Sequence, residues 1–259
     1  MSPETNEKAL VAPAVEEMAL FGAEEAITGF EGASGSSFAI PFLLLLQKGS
    51  PQCDPDKGNF NPNAKPGMWL DSSTGELIPV EGFQFIPCHF TQTIVEWVPR
   101  DIGGGFIAAH SPEHGLTLAT GKNEKGIPTT KDGNELRDTR THFGLRVRED
   151  SGLEPVVLSF TSSAIKVSRN WMASMRKKTV MGKNGPVRAV TYAYIYKVSS
   201  ESKSNKQYTW KIPQVTLEGP IKDAAMWEKA KEAVAMFVAN AGMAIPPAEE
   251  GNTDFPTGD

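Results

Sequence analysis

The stretch from Pro155 to Val215, PVVLSFTSSAIKVSRNWMASMRKKTVMGKNGPVRAVTYAYIYKVSSESKSNKQYTWKIPQV, decides the fold. Pro155–Thr161 is apolar and β-branched, which reads as a strand. Ser163–Lys178 carries Val167, Trp171 and Met175 at every fourth residue, the spacing of one helix face. A hydroxyl from Thr161–Ser163 is placed to cap its start, and Lys177 and Lys178 suit the dipole at its end. Asn184-Gly185-Pro186 is a turn. Val187–Val198 and Gln207–Val215 read as two strands joined by the polar loop Ser199–Lys206.

Upstream, the chain is also strand-rich. Glu81–Val98 is enriched in β-branched and aromatic residues, among them Phe83, Phe85, Val95 and Trp97. Phe106–Ala109 is a short strand, and His142–Arg148 alternates apolar and basic residues. Pro112–Asn134 and Cys53–Pro66 are dense in turn formers and charge, so both read as loops. The apolar run Phe38–Gln47 is expected to dock on the core. Downstream, Asp223 can cap a last helix that runs to about Asn240, with Met226, Trp227, Ala230, Val234, Phe237, Val238 and Ala241 at helical spacing and Gly242 as its stop. Strands, a helix, then two strands is the order of a five-stranded Greek-key barrel with its helix before the fourth strand. The expected fold is therefore mainly β (α+β): an OB-fold-like small β-barrel with an inserted helix, a C-terminal helix and flexible termini. Residues 1–37, with a short helix over Ala14–Ile27, read as a flexible acidic arm. A single OB-like domain spans 38–245, and 246–259 reads as a disordered acidic tail.

Charge is distributed unevenly along the 259 residues. The formal net charge is −5. Residues 1–40 hold seven acids and one base, 41–160 fifteen acids and eleven bases, and 212–259 eight acids and three bases. Residues 161–211 hold eleven bases and one acid, Glu201. A basic block thus lies between acidic flanks. Two cysteines, Cys53 and Cys88, suit a reducing compartment and exclude a disulfide scaffold. No signal pattern opens the chain, and the longest apolar run, Ile40–Leu46, is far short of a bilayer span. The cytoplasm, that of a bacterial host for a phage-encoded chain, is the expected location, with no membrane partner.

All four tyrosines fall inside the basic block. Single-stranded nucleic acid asks a protein for cations along the phosphates and flat aromatic faces under the bases. Both are interleaved here: Arg188, Tyr192, Tyr194, Tyr196, Lys197, Lys203, Lys206, Tyr208, Trp210 and Lys211. Tyr192, Tyr194 and Tyr196 are spaced to share one strand face, and whether that face is groove or core stays open. Lys166, Arg169, Trp171, Arg176, Lys177 and Lys178 add a second ridge on the helix. Trp97 and Arg100 are placed to line the groove's other side.

The runs FTSSAIKVSRNWMASM (Phe160–Met175) and AVTYAYIYKVSSESKSNKQYTWKI (Ala189–Ile212) resemble phage single-stranded DNA-binding proteins of OB-fold type, as do PFLLLLQKGSPQC (Pro41–Cys53) and IVEWVPRDIGGGF (Ile94–Phe106). The resemblance implies an OB-type core and an accessory role in phage DNA replication or recombination; it assigns no DNA-contacting residue. The tail AEEGNTDFPTGD adds acids and one aromatic, with Asp254, Phe255 and Asp259 as a site for replication or recombination proteins or as a competitor for the groove. A homo-oligomer is compatible with this reading.

Other chemistries find less support. Cys88, His89, His110 and His114 fit no zinc spacing. Gly103–Gly105 lacks the following Lys-Ser/Thr of a phosphate loop. No catalytic triad or nucleophile elbow is readable, so no enzyme activity, cofactor or metal is expected. Asp132, Glu135 and Asp138 are the one acid cluster a metal-dependent nuclease could use, but Arg137 and Arg140 lie among them. A virion structural or assembly protein is the remaining alternative, with the aromatic strands as subunit contacts.

Overall fold

The structure is a computed structural model and describes residues 40–148, 152–182 and 184–240. The arm 1–37 and the tail 246–259 lie outside these residues. The strands are, in chain order, β1 Leu43–Leu45, β2 Trp69–Asp71, β3 Leu77–Ile78, β4 Phe83–Val98 and β5 Gly105–His110. They continue with β6 Gly121–Lys122, β7 Pro128–Thr129, β8 Glu135–Val147 and β9 Leu153–Phe160. The last four are β10 Thr179–Gly182, β11 Gly185–Arg188, β12 Tyr194–Ser204 and β13 Thr209–Pro220. Three α-helices among the described residues join them: α1 Pro112–Thr117, α2 Ile165–Arg176 and α3 Ala224–Asn240.

Five long strands carry the fold. β4, β8 and β9 pair antiparallel in succession, and β12 returns to lie beside β4, with β13 outside it. This fourth-first-second-third order is a Greek key, and its fifth strand makes it a partly open barrel of OB type. α2 comes between the third and fourth of these strands, as the sequence order predicts. The result is a mainly β, α+β protein built on a curled half-barrel sheet.

β9 and β13 do not pair, and the segment around β1 bridges them. The Val157 N–H donates to the Pro41 carbonyl at 2.9 Å, and Phe42 forms a parallel bridge with Val157. At the other edge the buried Gln47 amide acts as a short strand. Its Nε2 donates to the Lys211 carbonyl at 3.0 Å, and its Oε1 accepts the Lys211 N–H at 2.9 Å. The apolar run thus docks on the core: Phe42, Leu43 and Leu46 are buried.

The sheet has an apolar cluster on each side. Inside the curl, Phe83, Phe85, Val156, Leu158, Phe160, Tyr196 and Val198 meet Trp171 and Met175 of α2. On the other side Ile86, Cys88, Phe143, Leu145 and Val157 meet Ala230, Ala233 and Phe237 of α3. The Asp223 cap of α3 is present: its Oδ1 accepts the Met226 N–H at 2.7 Å. Gly144 permits a close approach of two barrel strands. A Cβ there would strike the Ile86 carbonyl and the Phe85 ring, so β8 and β4 can meet only over a bare backbone. A buried Arg146 holds the Glu76 carboxylate through two bonds, 3.0 and 2.6 Å, fixing the β2–β3 turn to β8.

Local differences from the sequence expectation have identifiable causes. α2 has no side-chain cap; a 3₁₀ turn, Ser162–Ala164, leads into it instead. Val187–Val198 is not one strand, because a 3₁₀ turn at Thr191–Ala193 separates β11 from β12. Ser199–Lys206 is mostly not loop: β12 continues to Ser204, since its polar residues find backbone partners in β13 through Ser204↔Thr209. The expected loop Pro112–Asn134 contains α1 and the β6–β7 pair. Glu135, the residue after it, opens β8.

Candidate nucleic-acid interface

α2 has two unlike sides. Ser168, Trp171 and Met175 are buried on one. Lys166, Arg169, Arg176 and Lys177 are exposed, at spacings that align them along the opposite side. No Asp or Glu occurs between Glu154 and Glu201, so this stripe has no acid in its own stretch of chain. Lys178, half-buried at the end of the helix, lies over the Tyr194 ring with Nζ 5.7 Å from the centroid.

The β12–β13 pair carries the second group of cations. Lys197 and Lys203 are exposed on the strand face opposite to Tyr196 and Val198. Lys203 stands across from Trp210 and forms an ion pair with Glu201 at 3.0 Å. The Trp210 indole N–H donates to Ser163 Oγ at 3.1 Å, tying the turn end of this hairpin to the start of α2. Lys206 and Tyr208 sit in the connecting turn, both exposed, Tyr208 by 54 %. Asn205 shapes that turn by accepting the Gln207 and Tyr208 N–H groups at 2.9 and 2.7 Å. Lys211 points to the other face, where its Nζ donates to Ser202 Oγ at 2.8 Å beside Gly67. Arg188 is exposed on β11.

Three tyrosines and one tryptophan are not the stacking platforms their spacing suggests. Trp171 is only 5 % exposed; it stacks on His142 at 4.4 Å and meets Phe85, Phe160 and Tyr196 edge-on. Tyr196 is 2 % exposed, and burial pushes its hydroxyl up to about 12. Tyr192 lies in the 3₁₀ turn, off the strand, and packs on Trp227 of α3 with centroids 5.1 Å apart. Tyr194 is half-buried against the inner cluster. Only Tyr208 of the four is an open ring.

Trp97 belongs to a different part of the barrel. It packs edge-to-face on Phe106 at 5.8 Å in the β4–β5 ribbon. Twelve residues, or ~40 Å of extended strand, separate it from the Phe85 end where β12 joins β4. Arg100 is exposed in the tight turn beyond it. Asp254, Phe255 and Asp259 lie outside the described residues.

The set-aside chemistries come apart in space. Glu135 is bound by Arg137 at 2.6 Å and Asn123 at 2.8 Å, whereas Asp138 is bound by Gln92 and Arg140. Asp132 is exposed in the preceding turn. Cys88 is buried under α3, which pushes its thiol up to about 12. His110 instead bonds Glu96 at 2.8 Å and meets His114 edge-on. Among the described residues, no three of these residue types gather where they could hold a metal ion.

OB barrels take oligonucleotides on the face of their second and third strands. Here those strands are β8 and β9, and α3 covers Phe143, Leu145 and Val157 on them. Exposed cations away from that covered face include those on α2, on the β10–β11 hairpin and along β12–β13. The fold thus defines a five-stranded Greek-key half-barrel, and the acid-free run of chain 155–200 sets a row of exposed cations on α2. By sequence the chain belongs to the Pam3 phage gp34-like protein family, whose model matches residues 5–242. It is a bacteriophage protein. No curated protein and no solved structure matched it. No helix among the described residues is long and apolar enough to cross a membrane.

Proposed function

We propose that this phage protein is a non-enzymatic, largely sequence-independent single-stranded DNA-binding protein that acts in phage DNA replication or recombination in the host cytoplasm. The observation that carries the reading is the cationic stripe Lys166–Arg169–Arg176–Lys177 on α2, within 46 residues (155–200) free of acid. Trp210, Lys203, Lys206 and Tyr208 extend it. Exposed like charges in such number repel one another, and a polyanion relieves that repulsion by counterion release. The open Tyr208 ring and the half-buried Trp210 offer base contacts worth about 1–3 kcal/mol each. The acidic tail, with Asp254, Phe255 and Asp259, serves protein partners.

Titration of labelled oligo(dT) tests the reading. Sub-micromolar binding that weakens steeply with added salt is the expected result. No binding at about 50 mM salt overturns it. Stable incorporation into purified virions together with no oligonucleotide binding replaces it with a structural role. Alanine at Lys203 and Lys206 reduces the salt slope, while alanine at Lys211, turned to the other face, changes it less.

A further inference from the structure

The β10–β11 hairpin is a two-stranded sheet that pairs with no other strand among the described residues. Its register sets Val180 across from Val187 and Met181 across from Pro186. Val180 and Val187 are 40 % and 48 % exposed, and Met181 is 80 % exposed. An isolated hairpin of this length gains little from its own contacts, and its exposed apolar side chains return nothing to it. Lys177 and Lys178 lead into it and Arg188 leads out. Arg188 shares a face with Met181, since Thr179↔Arg188 and Met181↔Pro186 are two residues apart in register. The Ala189 N–H donates to the Lys178 carbonyl at 3.0 Å and closes the hairpin's base, and Lys178 sits over Tyr194 of the body.

We propose that this hairpin is a base-contacting arm, which inserts Met181 and the Val180–Val187 pair between unstacked bases while Lys177 and Arg188 hold the adjoining phosphates. The inference rests on the single-strand reading above and gives it a second, apolar site. Apolar wedges set between bases are a general device of nucleic-acid binders, and a thioether is polarizable and adapts to any base face. Charge selects nucleic acid as the occupant over a second copy. Lys177, Lys178 and Arg188 at the hairpin's base, in a run of chain without Asp or Glu, complement a polyanion and give a second copy of this hairpin no acid to pair with.

The test uses the full chain, oligo(dT) carrying one central 2-aminopurine, and two variants, V180S/M181S/V187S and M181S alone. The single change touches only a highly exposed side chain, so folding is preserved. The unaltered protein is expected to bind and to raise the 2-aminopurine fluorescence as the base unstacks. The triple variant is expected to bind roughly tenfold or more weakly, with the salt slope unchanged because every cation remains. M181S is expected to lose part of the fluorescence change. Wild-type affinity and fluorescence in both variants overturn the arm alone. So does loss of self-association in the triple variant with oligo(dT) affinity unchanged, which makes the hairpin a subunit contact. Absence of binding by the unaltered chain overturns the single-strand reading, and the arm with it.

Discussion

Helix α2 and the β10–β11 hairpin are consecutive in the chain and come from the same acid-free run, yet they treat their apolar residues in opposite ways. α2 buries Trp171 and Met175 and turns its cations outward. The hairpin leaves Val180, Met181 and Val187 in water, with cations at its base. The helix plugs a barrel whose interior lacks a side without it. The hairpin pairs with no other strand among the described residues. The same composition thus serves as core in one element and as open surface in the next, and only the first contributes to stability.

Substitutions on either side of that contrast test it. The largest expected effect is Trp171→Ala, which leaves a cavity among Phe85, Phe160, His142 and Tyr196 and costs about 3–5 kcal/mol in urea denaturation. Met181→Ala should leave stability within about 0.5 kcal/mol. Equal stabilities for the two variants would break the contrast.

His142 should make the α2 side pH-sensitive. Its Nε2 lies 2.8 Å from Ser168 Oγ, it is 1 % exposed, and burial with the nearby Arg140 charge lowers its pKa to about 3. The unfolded chain protonates it near the ordinary value of about 6.5, so stability is complete above that pH. It falls by about 1.4 kcal/mol per pH unit as the pH drops toward 3. A His142→Gln variant, studied by denaturation at several pH values, should show a flatter profile in that window.

Gln47→Ala removes the paired amide that closes the barrel at Lys211 and should cost about 1–3 kcal/mol, with faster exchange of the Lys211 amide hydrogen. The smallest effect on stability is expected on the outer side of α2. Alanine at Lys166, Arg169, Arg176 and Lys177 should change stability by no more than about 0.5 kcal/mol per site. The slope of log affinity for oligo(dT) against log salt should fall by up to about 3, at ~0.7 per phosphate contact. An unchanged slope would place any DNA path off this stripe.

The repeat Val167–Trp171–Met175 marked the inward face of α2, because three large apolar side chains at that spacing have one stable destination. For the same reason Trp171 belongs to the core and not to the row of exposed cations. The tyrosine face was ambiguous, since alternation shows that residues share a face and not which face is covered. Tyr192 left the series for a reason that no period reveals, the 3₁₀ turn at Thr191–Ala193. The hairpin arm had one legible signal, an Asn-Gly-Pro turn flanked by Thr-Val-Met and Val-Arg. The bridging role of Gln47 had none, because its partner is 164 residues away.

Sequence by itself determined the order of strands and helix, the cap of α3, and the gathering of positive charge into one acid-free run. These are local properties: periodicity, capping chemistry and composition act over a few residues. Tertiary structure decided which aromatics are core and which are open, that α3 covers β8 and β9, and that a short apolar segment closes the barrel. Those outcomes depend on what lies against each surface once the sheet curls, and a partner distant in the chain leaves no mark on the residues it covers.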